Sequence, residues 1–298
     1  MTDKLVRAVT KNGNFRAISV DATQMMNQVA KYHDASTLAI TILGRALLGG
    51  LLLANALLKD RERLAMTIDG GGPAGKIVVE TSAEGQVRGY VTNPQVTLPK
   101  KADGSEDVAA AVGTNGYLTV TKEMGEDTEP FTGKVQLATG EIGDDITYYM
   151  AKSEQIPSAV AVSVDINDDH TIKAAGGFMV STLPDATDEE LAALESRLES
   201  FPSIASILER EHEPLALLNK LFGKDQIKAL SSTDVTLYPE LTKAQYARML
   251  KTLPLEQLKE MLADDHGVQV EDRFTGKQIR FDQAELTSII KSVEEQHD

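Results

Sequence analysis

The sequence predicts an α+β protein: a sheet-rich N-terminal domain with helices, a helical linker, and a small C-terminal module of helices and one β-hairpin. Three observations predict it. Candidate strands come in successive hairpin pairs rather than alternating with helices, which opposes a parallel α/β sheet. Ser36 to Leu58 is a run of 23 residues rich in Leu and Ala, the composition of a core helix. From Pro184 to Leu230, three short amphipathic patterns follow one another, broken by Pro202 and Pro214. These set the expected domains at residues 1–183, 184–232 and 233–298.

Phe15 to Ala22 reads as a strand and Thr23 to His33 as a helix with Met25, Met26 and Val29 inward. In the core helix that follows, Arg45 interrupts the apolar run and only 13 uncharged residues come after it, too few to cross about 30 Å of hydrocarbon. Gly44, Gly49 and Gly50 would let another backbone approach. Leu64 to Ile68, Lys76 to Thr81 and Gln86 to Val91 suit an antiparallel meander. Tyr117 to Lys122 and Lys134 to Thr139 are further strands around an acidic turn from Gly125 to Glu129, and Ile142 to Ser153 is helical. Ala159 to Ile166 and Thr171 to Val180 form a hairpin across Asn167 to His170.

The linker opens on Thr187 with Glu190 three positions later, a capping box. Its apolar side carries Leu191, Leu194, Leu198 and Phe201, then Ile204, Ile207 and Leu208; after Pro214, well placed at a helix start, come Leu215, Leu218, Leu221 and Phe222. Between Asp185 and Glu213 nine acids face two arginines, a local charge of about -7. Two readings fit: a permanently packed interdomain layer, or a face covered conditionally, because proline-interrupted helices gain little from propagation and depend on docking.

Beyond Ser231, Thr242 with Gln245 forms a second capping box ahead of Tyr246, Met249 and Leu250. Pro254 starts a helix that ends near Gly267. Val268 to Val270 pairs with Gln278 to Phe281, and Asp282 with Glu285 caps a last helix carrying Leu286, Ile289, Ile290 and Val293.

A net charge of -15 opposes nucleic acid and anionic membranes as primary partners. Met1 to Val20 lacks the apolar core of a secretion signal, so a cytoplasmic protein is expected. With no cysteine there is no disulfide, thiolate metal site or thiol switch, and the five histidines have no metal-site spacing. Gly70, Gly75 and Lys76 imitate a phosphate loop, but Ile77 takes the hydroxyl position and a strand follows where a helix is required. Asp165, Asn167 and Asp169 imitate a calcium loop, but His170 and Gly176 stand at its glycine and glutamate positions. No nucleophile elbow, zincin helix or dinucleotide fingerprint is present, so no catalytic residue is assigned and no enzyme is expected.

Asp145 to Val160, DITYYMAKSEQIPSAV, and Ala174 to Phe178, AAGGF, resemble the heat shock protein 33 family of bacterial redox-regulated chaperonins. The resemblance runs nearly the whole length, through His33-Asp34-Ala35-Ser36, Leu43-Gly44-Arg45-Ala46-Leu47, Gly72-Pro73 with Gly75, and Val87 to Val91 followed by Asn93-Pro94. It implies an α+β core, a helical linker and a C-terminal switch module, acting together as an ATP-independent holdase for unfolding proteins, with a homodimer as a plausible active form.

The family's C-terminal module holds one zinc through a CxC pair and a later CxxC. Aligned on Leu237, Lys243, Leu250, Phe274 and Phe281, those four positions are Pro239, Leu241, Asp272 and Thr275, none able to give a thiolate. No zinc or other cofactor is therefore expected, and the module must be stabilised by apolar contacts, Leu241 among them. The expected function is a stress-response holdase binding non-native clients through Leu191, Leu194, Leu198, Phe201, Ile204, Ile207 and Leu208, constitutive or heat-gated. The alternative is an adaptor of the same fold that has lost holdase activity.

Overall fold

The computed structural model describes residues 3–125 and 128–297, so Glu126 and Asp127 of the expected acidic turn lie outside the described residues. In chain order the elements are β1 (Lys4–Thr10), β2 (Phe15–Asp21), α1 (Thr23–Tyr32), α2 (Thr37–Leu57), β3 (Arg63–Asp69), β4 (Ile77–Ser82), β5 (Gln86–Val91), α3 (Val108–Val112), β6 (Tyr117–Glu123), β7 (Phe131–Gln136), α4 (Gly143–Lys152), β8 (Ser158–Ile166) and β9 (Ile172–Thr182). Then come α5 (Asp188–Glu199), α6 (Ile204–Glu211), α7 (Leu215–Phe222), a 3-10 turn (Lys224–Gln226), β10 (Ile227–Asp234), β11 (Thr236–Leu237), α8 (Lys243–Leu250), α9 (Leu255–Asp265), β12 (Gly267–Asp272), β13 (Lys277–Asp282) and α10 (Gln283–His297). The α+β class read from the sequence is the one observed.

The chain folds into two compact units, the first ending at Tyr238 and the second beginning at Pro239. In the first, a five-stranded antiparallel sheet runs β10-β1-β2-β9-β8, and a six-stranded sheet runs β11-β5-β4-β3-β6-β7. Helix α2 packs on strands of both, β2, β8 and β9 on one side and β3, β4 and β5 on the other. Its most apolar window is 89% buried. Leu47, Leu48, Leu51 and Leu52 are wholly buried there, each worth about 1.5–3 kcal/mol of transfer free energy. The glycines of α2 do admit close neighbours, but these are side chains rather than backbone: a Cβ at Gly44 would meet Met26 and Val164, at Gly49 Ile146, and at Gly50 Val79. Arg45 avoids burial without a partner by reaching Glu141 at 2.6 Å, whose other oxygen holds Lys101 at 2.6 Å.

Several boundaries differ from the sequence reading. The strand expected at Lys134 to Thr139 is Phe131–Gln136, because the Ala138 and Thr139 amides donate to the Asp145 carboxylate (2.7 and 3.0 Å) and leave the ladder. Strand β1 was not anticipated, although Val6, Ala8 and Thr10 are buried at a spacing of two, while Leu5 faces the core on the other side. Strand β10 was not anticipated either; five consecutive exposed residues give it no period of two. It pairs with β1 from Lys4 opposite Asp234 to Thr10 opposite Ile227. The stretch of chain that contains α5, α6 and α7 therefore leaves the five-stranded sheet at β9 and rejoins it at β10.

The second unit wraps α8, α9 and α10 and the β12–β13 hairpin around Leu258, Phe281 and Leu286, each at most 2% exposed. Thr242 and Gln245 cap α8 reciprocally. The Asp282 amide donates to Glu285 (3.0 Å) and the Glu285 amide to Asp282 (2.9 Å) at the start of α10. Such caps contribute about 0.5–2 kcal/mol each.

Candidate functional site

Helices α5, α6 and α7 lie on the face of the five-stranded sheet opposite α2. The sheet offers Ala8, Phe15, Ala17, Ala174, Phe178 and Val180 to them, and together they form a second core. Small residues on β9 decide how closely α6 approaches. A Cβ at Gly176 would collide with the Leu208 methyl and the Val20 carbonyl oxygen. Thus the AAGGF run is the seat of α6, a role its lack of bulk signals in the sequence.

The seven residues read as a binding face divide into two groups. Leu194, Ile204, Ile207 and Leu208 are buried at 7%, 8%, 2% and 1% exposure, while Leu191, Leu198 and Phe201 are half-buried against the same core. Phe201 meets Phe178 edge-on with ring centroids 5.0 Å apart, and Phe222 meets Phe15 at 5.8 Å. Pairs of this kind add about 0.5–1.5 kcal/mol to their burial. The rings at 15 and 178 are the floor residues that the sequence reading missed, because nothing local connects them to the linker. On the outer side Glu195, Glu199, Glu211 and Glu213 face solvent, and Glu209 pairs with Lys173 of β9 at 3.1 Å. The large apolar side chains exposed among the described residues are Tyr32, Tyr117, Met124, Phe131, Tyr148, Leu230 and Met249, none of them on this face.

Several other charged groups pair locally. Lys122 lies 2.9 Å from the Glu154 carboxylate, which also accepts from the Tyr149 hydroxyl at 2.7 Å; burial, then this bond, pushes the Tyr149 hydroxyl well above the usual tyrosine range. The phosphate-loop look-alike is the connection between β3 and β4, with Lys76 3.3 Å from Asp69. In the calcium-loop look-alike, Asp169 accepts from the Thr171 amide and hydroxyl (3.0 and 2.6 Å), closing a hairpin turn.

A family model described as Hsp33 protein matches residues 3–282. The chain belongs to the Hsp33 family. It is 42% identical to the 33 kDa chaperonin of Latilactobacillus sakei over 290 residues, 97% of this chain and 99% of that one. It is 39% identical to the 33 kDa chaperonin of Geobacillus kaustophilus, covering 97% and 98% of the two chains. The crystal structure of the 33 kDa chaperonin from Thermotoga maritima superposes with a TM-score of 0.89 at 30% identity, covering 100% of both chains. The family is one of chaperonins, not of enzymes.

The four positions that the sequence reading set against the family's zinc cysteines offer no zinc donor set. Pro239 and Leu241 carry no donor atom, and Leu241 packs against the core of the second unit. Asp272 accepts from the Phe274 amide and the Thr275 hydroxyl, both at 2.9 Å, so the other two positions bond each other. A zinc site of this family's type needs four soft or imidazole donors, and these residues supply one carboxylate and one hydroxyl. Among the described residues no group of three or more His, Cys, Asp or Glu is placed to hold a metal.

Proposed function

We propose that this Hsp33-family chain is an ATP-independent holdase whose client-binding surface is the apolar face shared by α5, α6, α7 and the five-stranded sheet, uncovered by heat instead of by thiol oxidation. Residues 1–183 together with β10 then form the platform, helices α5 to α7 within 184–232 the cover, and the unit from Pro239 onward a metal-free module. The observation that carries this reading is the location of the apolar surface: Phe15, Phe178 and Leu194 are buried beneath helices whose outer side is acidic. Uncovering it would present a broad apolar patch of the kind that binds non-native chains without sequence preference, while the acidic side keeps the complexes soluble. With no cysteine in the chain, the trigger must be something other than a disulfide.

Light scattering from a heat-denaturing client, under full reductant and without nucleotide, tests this directly. Suppression that grows with temperature supports the proposal. No suppression at any temperature, from protein shown to be folded, overturns it.

A second reading is an adaptor with the same fold and a permanently closed cover. The near-complete burial of Ile207 and Leu208 favours it. Limited proteolysis on heating separates the two, because cleavage confined to 184–232 requires a cover that opens.

A further inference from the structure

We propose that Glu190 is a latch that makes docking of α5 and folding of its first turn a single event, and so sets the temperature at which α5 leaves the sheet. This rests on the reading that α5 covers the client surface. One carboxylate serves two structures at once. It accepts the Thr187 amide at 3.0 Å, completing the capping box that starts α5. It also accepts the Asn12 side-chain amide at 2.7 Å and the Asn14 side-chain amide at 2.9 and 2.7 Å, both from the turn between β1 and β2.

The turn is built to point both amides the same way. Gly13 takes a positive φ of 79°, and the Asn14 backbone amide donates to the Asn12 side-chain oxygen at 3.3 Å. That leaves the nitrogen of Asn12 for Glu190. The incoming chain is fixed at the same spot, where the Leu183 amide donates to the Asn14 carbonyl at 2.9 Å.

Apolar packing alone holds α5 weakly. Leu194 is its single buried residue, and beneath the helix lies a cleft of about 220 Å³ lined by Thr10, Phe15, Arg197, Phe222 and Gln226. A lining that faces solvent instead of apolar side chains gains little from burial. The helix is therefore a strap held at its two ends, by Glu190 at the start and by Phe201 on Phe178 just past its end. Charge-assisted hydrogen bonds are stronger than neutral ones. If the first turn frays, Glu190 leaves the asparagines; if α5 lifts, the carboxylate loses three of its four contacts and only the cap remains.

Amide hydrogen exchange on the full chain, followed in parallel with client protection, tests the latch. In N12A/N14A the cap is intact, and α5 amides should exchange at least roughly tenfold faster while β9 amides do not change. E190Q should shift the same way by less, since the glutamine oxygen that caps can still accept from Asn14 while its NH₂ meets the Asn12 NH₂. N14D/E190Q reverses donor and acceptor and should restore slow exchange, which a general loss of stability would not do. Unchanged α5 exchange in N12A/N14A overturns the latch. Faster α5 exchange with no shift in the onset temperature of client protection supports the latch and overturns the assignment of the client surface.

Discussion

The Asp272 carboxylate accepts the Thr275 hydroxyl at 2.9 Å across the tip of the β12–β13 hairpin. In the sequence reading these two positions stand against half of the zinc site that resemblance to the family implies. Here they close a turn whose Thr275 and Gly276 amides both return to the Asp272 carbonyl, at 3.2 and 2.7 Å. The second unit thus depends on a core of Leu258, Phe281 and Leu286 and on capped helices.

Metal should have no influence on that unit. Zinc or a strong chelator should leave its thermal unfolding unchanged, whereas a zinc site of the family type would supply on the order of 10 kcal/mol. D272A should destabilise the unit by about 1–2 kcal/mol, read from exchange of the Val270 and Ile279 amides, because two hydrogen bonds vanish. D272N, which keeps an acceptor, should cost less. A rise in melting temperature with zinc would refute this account.

The seat of α6 should tolerate no added carbon. G176A drives a methyl into Leu208 and the Val20 carbonyl, and overpacking of this kind costs about 1–3 kcal/mol. If the cover opens to work, G176A should protect clients at a lower temperature than the parent chain. Equal onset in a measurably destabilised G176A would mean that α6 is not part of the moving cover.

Replacing Leu194, Leu198 and Phe201 together by Ser should weaken client protection. Leu194 and the Phe201 ring belong to the core shared with the sheet, so this variant loosens the cover while removing apolar surface from it. Reduced protection despite faster opening identifies these side chains as client contacts. Undiminished protection in a folded variant places the contacts on the sheet floor, at Phe15 and Phe178.

Acid should release the strap. The Thr187 amide, then the Asn14 side chain, hold the Glu190 carboxyl below the ordinary glutamate value of 4.5. A lowered carboxylate contributes stability that is complete above the unfolded value and disappears as pH falls through the folded one. Protection of α5 amides should therefore be flat near neutrality and fall below about pH 4.5, and the fall should be shallower in E190Q. Identical pH profiles for parent and E190Q would contradict the role given to this carboxylate.

What the sequence determined by itself is local. Thr187 with Glu190, Thr242 with Gln245 and Asp282 with Glu285 announce three helix starts, since each cap joins residues three apart and uses only their own side chains. The apolar composition of α2 and the turn residues of β8–β9 and β12–β13 are equally short-range, and the absence of cysteine rules out the family's thiol switch before any coordinate is known. Tertiary structure decided what meets what. Lys4 lies opposite Asp234 because a polar strand with no alternation completes a sheet begun at the other end of the unit. Glu190, legible as a cap, reaches Asn12 and Asn14 only after β1, β2 and β9 have aligned. The apolar face, read from the sequence as either permanently packed or conditionally covered, lies on Phe15 and Phe178. An amphipathic pattern fixes that a helix has an apolar side; which surface covers it is set by contacts between residues distant in the chain, and those follow from register and packing rather than from periodicity.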